Sequence, residues 1–196
     1  MRSLVVAALL LLAPSAHADP PKVDENDSFV QPERARDART YIDVRGGASS
    51  ANELGVAEVC VEGSPVWLLT IETCGTGSGI WRSNDTKEMA HFRLELQPYR
   101  LVIGGVALDP QLGVGFAEMQ VGQDEPGFRF GDAEGKMDTS GPEVTLSLSA
   151  KIPIRYELEL IGELTTGAAY FAAAPELAAP QEELQPFAEL SLGLGF

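Results

Sequence analysis

His91, Arg93 and Glu95 fall at alternate positions, so an extended chain would set all three on one face. A hydrolase built on that face, one acting on lipid A or a phospholipid, needs a nucleophilic serine with the imidazole within reach as its base. The residue two after His91 is Arg, and no Gly-x-Ser-x-Gly occurs in the chain. His91 therefore reads as a polar residue satisfied by its charged neighbours, not as a catalytic base. Gly75-Thr76-Gly77-Ser78-Gly79 has the composition of a phosphate-binding loop but lacks the lysine and the helix start that such a loop requires. Alternate glycines instead suit a strand that another group approaches closely. Asp124, Glu125, Asp132, Glu134 and Asp138 crowd one polar stretch without EF-hand spacing, which reads as a solvated acidic loop. No catalytic group, cofactor or metal site is expected.

The elements that would carry these residues begin after an export signal. Arg2 is followed by the apolar run Leu4 to Ala13, too short to span a bilayer and broken by Pro14. Ala16-His17-Ala18 then offers small residues at a cleavage site, so residues 1–18 read as a signal peptide. Residues 19–39, polar, charged and proline-bearing, read as a disordered periplasmic lead-in. With the signal removed, 13 basic residues face 29 acidic ones. That balance excludes nucleic acid as a partner, since phosphates call for Lys and Arg. No later segment is apolar enough for a membrane-spanning helix, so any membrane role has to be that of a β-barrel.

From Thr40 onward the apolar period is two. Val144, Leu146, Leu148, Ala150 and Ile152 alternate with Glu143, Thr145, Ser147, Ser149 and Lys151. Leu158, Leu160, Leu164 and Tyr170 likewise alternate with Glu157, Glu159, Glu163 and Thr165. Eight such segments follow, near 40–48, 55–62, 66–80, 88–101, 104–121, 142–152, 155–170 and 186–196, with a kink at Pro98 able to divide the fourth and fifth differently. The connections alternate too. Residues 49–54, 81–87, 122–141 and 171–185 are long, polar or rich in Pro and Gly. Residues 63–65, 102–103 and 153–154 are minimal. Outer-membrane barrels have this parity, with long extracellular loops and short periplasmic turns. Trp67 and Trp81, and Tyr156 and Tyr170, are each 14 residues apart on one face. Tilted strands of that length rise about 33 Å, the separation of two interfacial aromatic girdles.

The last strand is Phe187-Ala188-Glu189-Leu190-Ser191-Leu192-Gly193-Leu194-Gly195-Phe196. Its strict alternation ending on Phe resembles the terminal strand of small outer-membrane barrels of the outer membrane protein A and X class. That resemblance implies an all-β, eight-stranded antiparallel up-and-down transmembrane barrel over residues 40–196. It also implies that the barrel-assembly machinery recognises Leu190, Leu192, Leu194 and Phe196. The expected product is a monomer in outer-membrane lipid with a structural or loop-binding role. A narrow channel or ligand-binding barrel and a lipid-modifying enzyme are the alternatives.

Two further expectations concern register. Cys60 and Cys74 share the inward parity in an oxidising compartment, where a disulfide is the default. A tight hairpin at Ser64 would pair Cys60 with Leu68 and part the two cysteines beyond the roughly 7 Å limit. A hairpin centred near Trp67 would let them bond. Around Pro153, a turn at 153–154 would set Lys151 against Glu157 as an interior ion pair, Ser149 against Glu159 and Thr145 against Glu163.

Overall fold

A computed structural model describes residues 41–53, 56–66, 68–77, 86–122, 128–131, 133–155 and 158–196. The signal peptide and lead-in, Trp67, Trp81, Tyr156, Glu157, Asp124, Glu125 and Asp132 lie outside the described residues. The strands are β1 Tyr41–Ser49, β2 Ala57–Val66, β3 Leu69–Gly75, β4 Glu88–Leu96, β5 Leu101–Ile103, β6 Val106–Gln120, β7 Asp138–Arg155, β8 Leu158–Tyr170 and β9 Leu184–Gly195. Every neighbouring pair is antiparallel. β1 pairs with both β2 and β9, and β4 pairs with both β3 and β6, so the sheet closes on itself. β4 and β5 are two pieces of a single wall strand, which makes the barrel eight-stranded. Proline has no N–H to offer a ladder. Across Pro98 the partners on β6 accordingly shift by one, from Leu96 opposite Leu112 to Leu101 opposite Leu108.

The short turns sit a few residues later than the hydrophobic pattern suggests. β2 runs on to Val66 and β3 starts at Leu69, so the return falls past the expected 63–65, and Gly63 and Ser64 lie within β2. Cys60 thereby faces Cys74, with 4.0 Å between their Cα atoms, and the two are joined by a disulfide. The β5–β6 turn is Gly104-Gly105, at φ of 59° and 83°. Positive φ at both central residues is what a two-residue hairpin matched to strand twist needs, and glycine adopts it without strain. β7 runs through Pro153 to Arg155 before the chain returns.

That last shift changes the register expected for Lys151. Lys151 stands opposite Ile161, Ser149 opposite Glu163 and Thr145 opposite Gly167. The position across from Lys151 is therefore not that of Glu157. The displacement is an even number of residues, so the inward face is unchanged; only the partners differ.

Polarity is inverted relative to a water-soluble barrel. Charged residues on the inward parity are buried, Arg45, Arg93 and Glu95 among them, whereas Val114, Leu190 and Leu192 on the outward parity are at least 60% exposed. Among the described residues, the apolar cluster of buried side chains sits at the long-loop end. There Met89 and Met119 at the strand ends meet Phe171, Ala174 and Leu177 of the 171–183 loop, with Phe187 beneath them.

Close approach fixes two glycines on the inner wall. Arg45 is directly opposite Gly193, and Arg93 is opposite Gly115. A Cβ at Gly193 would lie 2.6 Å from Arg45 Cα, and one at Gly115 would lie 2.9 Å from Arg93 Cα. A Cβ at Gly63 would meet nothing within 4 Å. Gly115→Val should lower stability toward the upper end of the about 1–3 kcal/mol typical of overpacking, because the neighbour is backbone. Gly63→Ala should be neutral or stabilising by about 0.5–1 kcal/mol. Urea midpoints of the two refolded variants check this contrast, and equal midpoints would contradict the assigned β4–β6 register.

Candidate functional site: the charged barrel interior

An eight-stranded barrel has an interior that side chains alone can fill. Here the filling is ionic. Arg45 on β1 extends across the lumen to four carboxylates. Its Nε lies 2.9 Å from Asp43 and its Nη2 2.9 Å from Glu62, and its guanidinium also pairs with Glu72 and Glu163. Arg93 on β4 holds three, one of them shared with Arg45. Its Nη1 lies 2.8 Å from Glu72, its Nε 3.1 Å from Glu143 and its Nη2 2.8 Å from Glu189. Glu72 joins the two arginines. The pairs tie β1, β2, β3, β4, β7, β8 and β9 through the lumen. The Arg93–Glu189 contact uses two parallel N–H···O bonds, the geometry in which a guanidinium binds a carboxylate most strongly.

His91 is enclosed in the same network. Its Nδ1 hydrogen-bonds Glu143 Oε2 at 2.7 Å, and its Nε2 lies 3.0 Å from Glu189 Oε1 in ionic contact, without the alignment of a hydrogen bond. With a carboxylate against each ring nitrogen, the imidazole is occupied by the network and stands next to no serine hydroxyl in these contacts. The Phe187 ring is 4.8 Å from the His91 ring and 5.3 Å from the Arg93 guanidinium, forming the floor of the apolar plug above them.

Toward the short turns the network ends in a second set. Lys151 points inward, 3.7 Å from Asp109 and 3.9 Å from Glu62, with its ammonium 4.2 Å from the centre of the Tyr41 ring. Arg100, in the kink after Pro98, grips Asp109 through two bonds of 2.7 and 2.6 Å. Tyr41 donates to Glu159 at 3.0 Å. At the opposite rim Asn52 anchors the first loop, donating to Glu58 and accepting from the Met89 backbone N–H. Lys87 there reaches Gln185 at 2.6 Å, and burial pulls its ammonium below the ordinary lysine range.

The residues singled out in the sequence are thus distributed unevenly. His91, Arg93 and Glu95 do share one inward face. Thr76 of the glycine-rich stretch donates to Glu88, which marks a strand-end contact instead of a phosphate cradle. Glu134 lies on an exposed loop turn, and Asp138 stands 3.5 Å from Arg129. Of the four girdle aromatics only Tyr170 is described; it is exposed and donates to Glu183. Leu190, Leu192, Leu194 and Phe196 all lie on the outward face of β9, and Phe196 exchanges two backbone hydrogen bonds with Ile42 at the closing seam.

No family model matches the chain, and no curated protein does. Among solved structures the chain is similar to the N-terminal β-barrel domain of Pseudomonas aeruginosa OprF, at 9% identity over 81% of this chain and 99% of that one, with a TM-score of 0.43. It is similar also to Ail, the attachment invasion locus protein of Yersinia pestis, at 11% identity over 80% and 97% of the two chains, TM-score 0.38. A third is a major outer membrane protein from Thermus thermophilus, at 11% identity over 80% and 98%, TM-score 0.41. At this level of similarity nothing about binding or activity transfers.

Removing one member of a buried ionic set strands the others without a counter-charge, at a typical cost of about 3–5 kcal/mol. Arg93→Met should lose that much, because three carboxylates lose a partner together. Arg129→Ala, at the exposed rim, should lose about 0–1 kcal/mol. Equilibrium urea unfolding in detergent separates the two; a near-neutral Arg93→Met would mean that the lumen is wet enough to solvate these acids.

Proposed function

We propose that this chain is an integral outer-membrane β-barrel of a Gram-negative cell, monomeric and non-enzymatic, with a structural or surface-loop binding role. The observation that carries the reading is the inverted polarity: the strands bury charge and leave a continuous wall of Val, Leu, Ile and Phe outside. In water that wall would be a very large exposed apolar patch, whereas in lipid it is the surface a barrel requires. No helix among the described residues is long and apolar enough to cross a membrane, and the spanning elements of this reading are the strands. Outer-membrane lipid is then the partner of the wall. The barrel-assembly machinery is the partner of the β9 end, through Leu190, Leu192, Leu194 and Phe196. Residues 1–18 would direct export and then be removed.

Against an enzyme stands the occupation of His91 by two carboxylates. Against a conducting pore stand the arginines that cross the lumen and the apolar cluster that closes its long-loop end. The work of binding falls to the long loops held on this rigid wall. Within them Phe128 and Phe130 pack edge-on against Phe116, and Phe130 remains largely exposed.

Cell fractionation should recover the chain with the outer membrane, and an unheated gel should show a folded species that migrates differently from the heated one. Single cysteines test orientation. A bulky thiol reagent on intact cells should label Glu182→Cys in the last loop and spare Tyr99→Cys near the short turns. Reversed labelling would invert the topology, and recovery of a folded soluble protein would defeat the reading altogether.

A further inference from the structure

Glu62, Glu72 and Glu95 come from three consecutive wall strands, and Glu62 stands opposite Glu72. One carboxylate oxygen from each lies within 4.8 Å of the other two, and all three side chains are buried. The cations nearby are shared out unevenly. Arg45 reaches Glu62 and Glu72, Arg93 reaches Glu72, and Lys151 is 3.9 Å from Glu62. Among the described residues Glu95 has no ion pair; its one hydrogen bond is from Ser147 Oγ to Oε1, at 3.2 Å. A carboxylate buried in this way calls for a proton or a cation.

A separate observation comes from β6, the wall strand next to β4. Gln111 on β6 is buried, yet neither its amide oxygen nor its amide nitrogen has a hydrogen-bond partner. It stands directly opposite Ser147, the residue that holds Glu95, and two positions from Gly113, which faces Glu95 across β4 and β6. Glu95 Oε2 and Glu62 Oε1 are likewise without a hydrogen bond. Three carboxylates and an amide oxygen form an all-oxygen donor set, which suits a hard cation and not zinc or copper. Calcium binds such oxygens at about 2.3–2.6 Å and tolerates irregular coordination, so one ion can span oxygens up to about 4.8 Å apart.

We propose that Glu62, Glu72 and Glu95, with the Gln111 amide oxygen, form a calcium-class divalent cation site inside the barrel. Glu72 already accepts from both arginines, so Glu62 and Glu95 meet most of the ion's charge. The ion cross-ties β2, β3, β4 and β6 just above the break at Pro98, where the wall ladder is interrupted. This site depends on the lumen alone and stands whether or not the barrel resides in the outer membrane.

The full chain is refolded from urea into detergent with calcium or with EDTA, then desalted and assayed for bound metal and for unfolding temperature. Wild type should retain about one calcium per chain and unfold at a higher temperature than its EDTA-refolded counterpart. Glu62→Gln/Glu95→Gln should retain none and show no calcium-dependent shift, and Gln111→Leu should weaken retention. Glu134→Gln/Glu182→Gln, which removes two loop acids, should behave as wild type. Wild-type protein refolded in calcium but carrying no metal overturns the proposal, whatever the variants do. So does retention unchanged in Glu62→Gln/Glu95→Gln, or retention lost only with the loop acids. An infrared band from a protonated carboxyl, present in metal-free wild type and lost in Glu95→Gln, would assign the neutralising charge to a proton instead.

Discussion

Two guanidinium groups crossing the lumen are the interaction on which the remainder of the barrel depends. Arg45 and Arg93 meet seven carboxylate contacts from walls that are distant in sequence, with Glu72 shared between them. Gly193 and Gly115 stand opposite the two arginines, where an added Cβ would run into the neighbouring strand's backbone. The carboxylates that meet the arginines are offset by them, since an unpaired ion in a buried interior is costly. Charge and counter-charge therefore specify one another across strand pairs that local sequence does not connect. A slip of one residue in any strand would turn its acids toward the outer wall and leave the arginines without partners.

The two ends of the lumen are closed by different chemistry. At the long-loop end, Phe171, Ala174 and Leu177 fold over Met89 and Met119, and Phe187 stacks against His91 and Arg93. That apolar cover strengthens the ion pairs below it by keeping water away. At the short-turn end the closure is polar, through Arg100 on Asp109 and Tyr41 on Glu159, near where the wall breaks at Pro98. The barrel is thus dry above and charged below. Its asymmetry comes from loops that alone are long enough to fold inward.

Among the described residues, acids still outnumber bases inside. Asp43, Glu58, Glu62, Glu72, Glu95, Asp109, Glu143, Glu163 and Glu189 are all buried, against Arg45, Arg93, Lys151 and the His91 ring. The surplus is concentrated where Glu62, Glu72 and Glu95 converge. The same excess sets this interior apart from a simple arrangement of matched ion pairs.

The sequence by itself determined the faces. Alternation with period two is a local property, and it assigned Glu95, Lys151, Glu163 and Glu189 to the inside and Leu190, Leu192 and Leu194 to the outside, together with the parity of the loops. It did not determine register, because a shift of two residues preserves every face while changing every partner. Lys151 therefore meets Asp109, Glu62 and Tyr41 while standing opposite Ile161, and the extension of β2 to Val66 brings Cys60 to Cys74. Turns such as Gly104-Gly105 lie past the last clear alternation, where local pattern is weakest. The apolar plug was hidden for the same reason: Phe171 and Leu177 lie in a loop without period, and only the closed wall gives them a surface to cover. The convergence of Arg45 and Arg93 on acids from β1, β2, β3, β7, β8 and β9 is a product of closure alone, since residues as far apart in the chain as Arg45 and Glu163 meet there.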